Sequence, residues 1–303
     1  MTSKYLIGAI KITIYFIIAF VSTYIFLTLF YNQPLPFTIP NKNEPMLVLQ
    51  NIVLEDTITS LDIEWYVGGV EITKSTDNRI HIVEKSTSNL DENKLVKPKV
   101  SNNTLYLHSR NKNNVNFLFY QSPMTYLELQ LPDQDYSHFK LYMTSGKTSI
   151  TDFFIPKLDL DMTSGNLHLN NLKSEDMNIT MTSGNASFNQ VHTYDFNLGM
   201  TSGNASFVGT ITNDLDVEMT SGDLDLDTSL DSPNSLKLEM TSGNATLTLS
   251  ENEGFQVAVD TSSGHFKPDS KMTRINDDLY EYMQSTVNYS VEMTSGSLNI
   301  NLQ

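Results

Sequence analysis

The chain of 303 residues contains no cysteine. Disulfides, thiolate metal sites and cysteine nucleophiles are therefore excluded together, and an exported domain built from it is held by packing alone. Basic residues are scarce: 19 Lys and Arg stand against 35 Asp and Glu, for a formal net charge of −16. That balance excludes a nucleic-acid ligand, because neutralising phosphates takes a basic footprint. It favours long-range attraction of cationic partners. No acidic residue precedes Glu44. Neither an Ala-x-Ala cleavage signal nor the glycine-rich nonapeptide of calcium-binding repeats is present, and no motif implies a cofactor. What is present, at 39% hydrophobic content, suffices for a sizeable core.

Residues 12–31 run without a charge and are rich in Ile, Phe, Leu and Val. As a helix they span about 30 Å, the thickness of a bilayer's hydrocarbon. The alternative is a cleaved signal peptide, but such segments carry about 7 to 15 apolar residues and end at small ones, whereas this one ends in Leu29, Phe30 and Tyr31. Lys4 and Lys11 precede the span and no charge follows until Lys42. The positive-inside tendency then places residues 1–11 in the cytoplasm and the remainder outside a cell membrane crossed once. Residues 32–57, with Pro34, Pro36, Pro40 and Pro45, read as a stalk. The exported domain is expected over 58–303, with clear repeats from 139.

Those repeats are Met-Thr-Ser-Gly tetrapeptides beginning at Met143, Met162, Met181, Met200, Met219, Met240 and Met293, with a degenerate Thr261, Ser262, Ser263, Gly264 expected to fill the gap between the last two. Most are 19 residues apart, and a fixed period of this length marks a solenoid. Apolar residues alternate with polar ones before each tetrapeptide, as in Leu236, Leu238, Met240, and again after it, as in Leu224, Leu226. Period two means strands with one buried face. The expected fold is mainly β: a parallel β-solenoid of about 19-residue coils, each a strand, a Ser-Gly turn and a second strand, preceded by one transmembrane helix. Gly146, Gly165, Gly184, Gly203, Gly222, Gly243, Gly264 and Gly296 supply the positive φ that such corners require. Met fills the core, and Asn166, Asn185, Asn204 and Asn244 form a ladder at the corners. Nothing polar caps the C-terminus at Gln303, so the last coil is expected to expose a strand edge. Self-association through the ends of the solenoid is one route to a partner.

Candidate sites are few. Asp223, Asp225 and Asp227 share one outer strand face, and hard cations favour several carboxylate oxygens. Alternation with buried leucines demands polar residues there anyway, and carboxylates about 6.6 Å apart along a strand are too spread for one ion. A solvated face is the favoured reading and a metal site the weaker one. Residues 174–266 hold 14 acidic residues and one basic residue, Lys237. Asp214, Asp216, Glu218, Asp223, Asp225 and Asp227 thus form a candidate acidic face for a cationic peptide or a basic envelope protein. Solubility alone also accounts for it. The methionines suggest copper, but each continues an inward alternation and reads as core filler. Serines at Ser-Gly corners are turn chemistry, and the six histidines show no triad spacing. No catalytic residue is assigned, and the chain reads as a non-enzyme. A scaffold assembling with itself or with a membrane partner is the alternative function, and a carbohydrate-active enzyme a distant third.

Several of these segments together resemble one family. Leu61, Asp62, Ile63; Gly69, Val70, Glu71, Ile72; Asp77, Asn78, Arg79, Ile80; the aromatic run Asn116, Phe117, Leu118, Phe119, Tyr120; and the closing Ser295, Gly296, Ser297, Leu298, Asn299, Ile300 are similar to the DUF4097 candidate-adhesin family of bacterial envelope proteins. The resemblance implies a right-handed β-helical solenoid at the cell surface. Members with one N-terminal span resemble the membrane-anchored component of the Lia cell-envelope stress operon, and the likeness implies capture of cationic antimicrobial peptides. It brings no catalytic residues.

Overall fold

A computed structural model describes residues 46–109, 123–251, 254–285 and 287–303. The expected cytoplasmic segment 1–11, the span 12–31, the stalk up to residue 45 and the aromatic run at 116–120 lie outside the described residues. Among the described residues no helix is long and apolar enough to cross a membrane. The chain there is mainly β, and its one helical element is a 3-10 turn at Glu92–Lys94.

One unit explains the rest. In β9, Ser235–Leu249, the residues Leu236, Leu238 and Met240 are buried, and so are Ala245, Leu247 and Leu249. The step from Met240 to Ala245 is odd, so a flat strand would turn the two alternating runs to opposite faces. The bend at Gly243, with φ 129°, returns both to one core. The same arrangement recurs in β7, His138–Thr151, and four times in β8, Lys157–Thr228.

Units stack in parallel and in register. Met143 of β7 pairs with Met162 of β8 and Gly146 with Gly165. Met219 of β8 pairs with Met240 of β9 and Gly222 with Gly243. Like residues thus lie above one another, and Met143, Met162, Met181, Met200, Met219, Met240 and Met293 are each at most 4% exposed. This pairing is compatible with the expected solenoid.

The column starts earlier than the tetrapeptide does. In β2, Ser60–Lys74, Trp65 pairs with Met143 and Gly68 with Gly146. The chain's single Trp is the first member of the Met column, fully buried, with its indole N–H donating to the Thr125 carbonyl at 3.0 Å.

Both ends are closed by the same device. The other edge of β2 is taken by β5, Thr104–His108, and β6, Thr125–Leu131, both parallel to it. β4, Lys99–Ser101, lies antiparallel to β5. β3, Ile80–Ser86, then runs antiparallel to β6, and β1, Leu47–Leu54, antiparallel to β3. At the far end β14, Asn288–Leu302, pairs with β9, setting Met293 on Met240 and Gly296 on Gly243. β10, Phe255–Thr261, and β11, His265–Lys267, take the outer edge of β14. β13, Leu279–Tyr282, runs antiparallel to β10 and pairs with β12, Thr273–Arg274.

Two expectations fall here. The coil at Thr261 to Gly264 does not lie between those of Met240 and Met293 but outside them. The last coil exposes no strand edge, because β14 is paired on both sides. Strand length decides the order. β14 matches β9 over both arms, from Asn288↔Ser235 to Leu302↔Leu249, whereas β10 and β11 supply one arm and a three-residue stub. The segment that satisfies more of the β9 edge occupies it. Asp269 then accepts from the Leu302 N–H at 3.2 Å.

Candidate functional site

The corners are used up by the fold. Gly146, Gly165, Gly184, Gly203, Gly222, Gly243 and Gly296 have φ between 119° and 139°. A Cβ at any of them would lie 1.7–1.9 Å from the carbonyl oxygen of the glycine stacked against it. Two constraints therefore select glycine, the backbone conformation and the approach of the next coil. Gly264 departs from the set. Its φ lies outside the positive region and a Cβ there would meet the Gly296 oxygen at 3.2 Å; the outermost coil keeps its register with β14 on both sides but leaves the corner itself out of the ladder. Serine hydroxyls of the corners reach the threonine carbonyl of the neighbouring coil, Ser221 to Thr201 and Ser242 to Thr220 at 3.4 Å each.

Behind the corner the amide ladder continues upward from Asn185 to Asn166, 3.1 Å, and Asn204 to Asn185, 3.4 Å. Asp223 joins it: its N–H donates to Asn204, and its carboxylate accepts from the Asn244 side chain at 2.8 Å. Asp227 accepts from the Ser229 N–H at 3.0 Å. Asp225 is exposed. Of the three metal candidates, two carboxylates are thus engaged by the corner and the turn beyond it. Among the described residues no group of three or more His, Asp or Glu is disposed to hold a metal ion.

The proposed acidic face is split by the corner. Asp223, Asp225 and Asp227 follow it, while Asp214, Asp216 and Glu218 precede it, and of these six only Glu218 lines a groove. That groove, about 510 Å³ in volume, runs across the coils just before the Met column, with Gly199 in its lining and Thr201, Thr220, Thr241 and Thr294 along one side. Register places Glu218 on Glu239, Glu239 on Glu292 and Glu292 on Asp260. Four carboxylates in successive layers stand about 4.8 Å apart at the backbone. Neighbouring charges at that distance repel by about 1 kcal/mol in a water-like dielectric and more where solvent is displaced.

Among the described residues Lys237 is the one cation paired with them, at 2.7 Å from Glu239. The hydrogen bond to Glu239, with the charges of Asp216, Glu239 and Glu218, holds its ammonium above the usual lysine range. Asp216 lies opposite Lys237 in register, yet its Oδ1 is buried without a hydrogen-bond partner.

Glu239, Asp260 and Glu292 were not picked out by the sequence reading. A signal existed: the residue before each corner runs Tyr142, Asp161, Thr180, Gly199, Glu218, Glu239, Asp260, Glu292. Their grouping depends on β14 inserting beside β9, which no local pattern announces.

Towards the N-terminal coils the acids of the same face have more basic neighbours. A smaller groove of about 360 Å³ is lined by Asp62, Glu64, Asp159 and Asp161 together with Lys140. His108 meets Asp62 at 3.0 Å, His138 meets Asp159 at 2.7 Å, and Lys157 lies 3.5 Å from Asp176. His81 meets Asp77, whose carboxyl is held well below the usual range by hydrogen bonds from His81 and Arg79. These are surface polar contacts, local for His81 and between neighbouring strands for the others, not relays to a serine nucleophile.

Stacked parallel strands carrying one acidic groove define a mainly β repeat protein. The chain belongs to the Toastrack DUF4097 family, which matches residues 58–302. No curated protein matches it in sequence. Among solved structures, it is similar to a candidate cell adhesion protein from Clostridium sporogenes, at 13% identity over 84% of this chain and 99% of that one, with a TM-score of 0.29. A candidate lipid binding protein from Parabacteroides distasonis is similar at 13% identity over 84% and 96%, TM-score 0.48. A candidate adhesin from Bacteroides fragilis is similar at 15% identity over 83% and 97%, TM-score 0.34.

Proposed function

We propose that the protein is a non-catalytic binding protein of the bacterial cell envelope, in which a right-handed β-solenoid tethered by residues 12–31 captures cationic peptides in its acidic groove. The observation that carries this reading is the in-register column Glu218, Glu239, Glu292 and Asp260, with Lys237 the one cation paired with it among the described residues. A fold that stacks four like charges holds repulsion that a polycation relieves on binding. Three layer steps span on the order of 14 Å, the length of about four extended residues, so a short segment with two or three Lys or Arg fits the column. Alternation along each strand accounts for polar residues at these positions. It does not require them to be acidic, and Thr180 and Gly199 occupy the same position in neighbouring coils. The single membrane crossing rests on the uncharged length of 12–31, and a place in envelope-stress defence follows from capture of cationic peptides outside the cell.

A fluorescent oligolysine titrated into the full chain in detergent micelles tests the proposal. Binding is expected to weaken steeply with added salt and to vanish when the lysines are acetylated. Binding that ignores both changes would overturn it.

A further inference from the structure

The main strand order ends in two unlike edges. One is β12, two residues long and carrying Arg274. Short length and charge are the usual ways of keeping an edge from pairing with another chain. The other is β1, Leu47–Leu54, eight residues with no charge, in a chain of net charge −16. Among the described residues it pairs on one side only, with β3. Ile52 and Leu54 pack towards the core, while Leu47, Val48 and Val53 are 45%, 60% and 43% exposed. An uncharged apolar edge of this length either meets a partner strand or is an aggregation hazard.

Its sequence says which partner. The register with β3 passes from Val48↔Lys85 to Gln50↔Glu84, so Leu49 is an extra residue in a bulge. With Leu49 and Gln50 counted as one position, β1 reads the same in both directions about Asn51: Leu47 matches Leu54, Val48 matches Val53, and Leu49 with Gln50 matches Ile52. Exposure matches at the inner positions, where Val48, Asn51 and Val53 are exposed and Gln50 and Ile52 partly covered, while at the ends Leu47 is more open than Leu54. About a twofold axis an antiparallel pair of such strands sets like residues opposite one another, Leu on Leu and Val on Val, along an isologous interface. Two molecules of net charge −16 repel overall, an uncharged strip adds nothing to that repulsion, and in this register Glu55 falls opposite Met46 rather than another acid.

We infer that β1 is the edge through which two copies of this chain pair, antiparallel, about a twofold axis at Asn51. The inference is independent of the groove, which lies on the coils near the other end of the strand order.

The chain's lack of cysteine makes the test clean. Directly opposed residues of an antiparallel pair have Cα atoms about 4.5–5.5 Å apart, inside the range of a disulfide. The full chain carrying Asn51→Cys, in detergent micelles under mild oxidation, is expected to give a covalent dimer. Leu230→Cys, equally accessible at 72% exposure, is expected to give little. Adding Val53→Lys to Asn51→Cys is expected to abolish the dimer while leaving the melting temperature unchanged, because Val53 points outward. Three results would overturn the inference: no more dimer from Asn51→Cys than from Leu230→Cys, a dimer insensitive to Val53→Lys, or an Asn51→Cys thiol shielded from maleimide in a chain that stays monomeric, which would mean another segment covers the edge.

Discussion

Gly203 and Gly199 lie four residues apart in one coil, and a methyl group added to each meets opposite fates. At Gly203 it would stand 1.8 Å from the Gly184 carbonyl oxygen; at Gly199 nothing lies within 4 Å. The two columns of the repeat therefore do different work. The corner column is closed by contact between coils, and serines in it bond to the neighbouring coil, as Ser221 does to Thr201. The column before the methionines opens on a groove, where residue choice is released from packing and varies from Tyr142 to Glu292. Stability is written in the first column and the proposed binding in the second.

Substitutions separate them. Gly203→Ala combines a positive-φ strain with overlap on backbone of the next coil, and a loss of at least about 4 kcal/mol is expected, read as a large fall in melting temperature. Trp65→Ala empties the first site of the Met column and removes the donor to Thr125. Its expected cost is about 3–5 kcal/mol, measured by denaturant unfolding.

Glu84→Gln probes the closing strands instead of the coils. Burial raises the carboxyl of Glu84 above its ordinary value, partly offset by the Val96 N–H and the Gln50 side chain that it accepts from. A raised folded-state pKa stabilises the fold below the unfolded value, and that contribution is lost as pH rises through the folded value. The variant, neutral throughout, should match the parent in acid and exceed it by a modest margin at neutral pH. A melting series against pH reads the difference. Smallest of all, Gly199→Ala is expected to change stability by no more than about 0.5 kcal/mol. A large loss there would erase the distinction between the two columns.

Much of the corner column was legible in the sequence, because a corner repeats everything it needs within four residues. Met buries, Gly takes positive φ, and the 19-residue spacing sets the register. Trp65 to Gly68 was missed as the first corner since only the glycine matches the tetrapeptide, and its role emerges from pairing with Met143 to Gly146. Long-range order was hidden for a different reason. Whether β14 or β10 lies on β9 is a competition between two candidate strands for one edge, decided by how many ladder bonds each can make, and no local window contains both competitors. The groove inherits that blindness. Asp214, Asp216 and Glu218 were found as acids in a row, but the column that runs through Glu239, Glu292 and Asp260 exists only after the strand order is known. Asp223, chosen for the same face, is instead held by the Asn204 and Asn244 ladder.

The groove account stands or falls on one comparison of binding. Oligolysine affinity is measured at low salt for two variants of the full chain, each neutralising acids on one side of the corner. Glu218→Gln, Glu239→Gln, Asp260→Asn and Glu292→Gln together should lose nearly all binding. Asp223→Asn, Asp225→Asn and Asp227→Asn together should keep most of it. Equal losses from the two, or full binding by the groove variant, would contradict the account, because the peptide would then answer to net charge and not to the column that the strand order assembles.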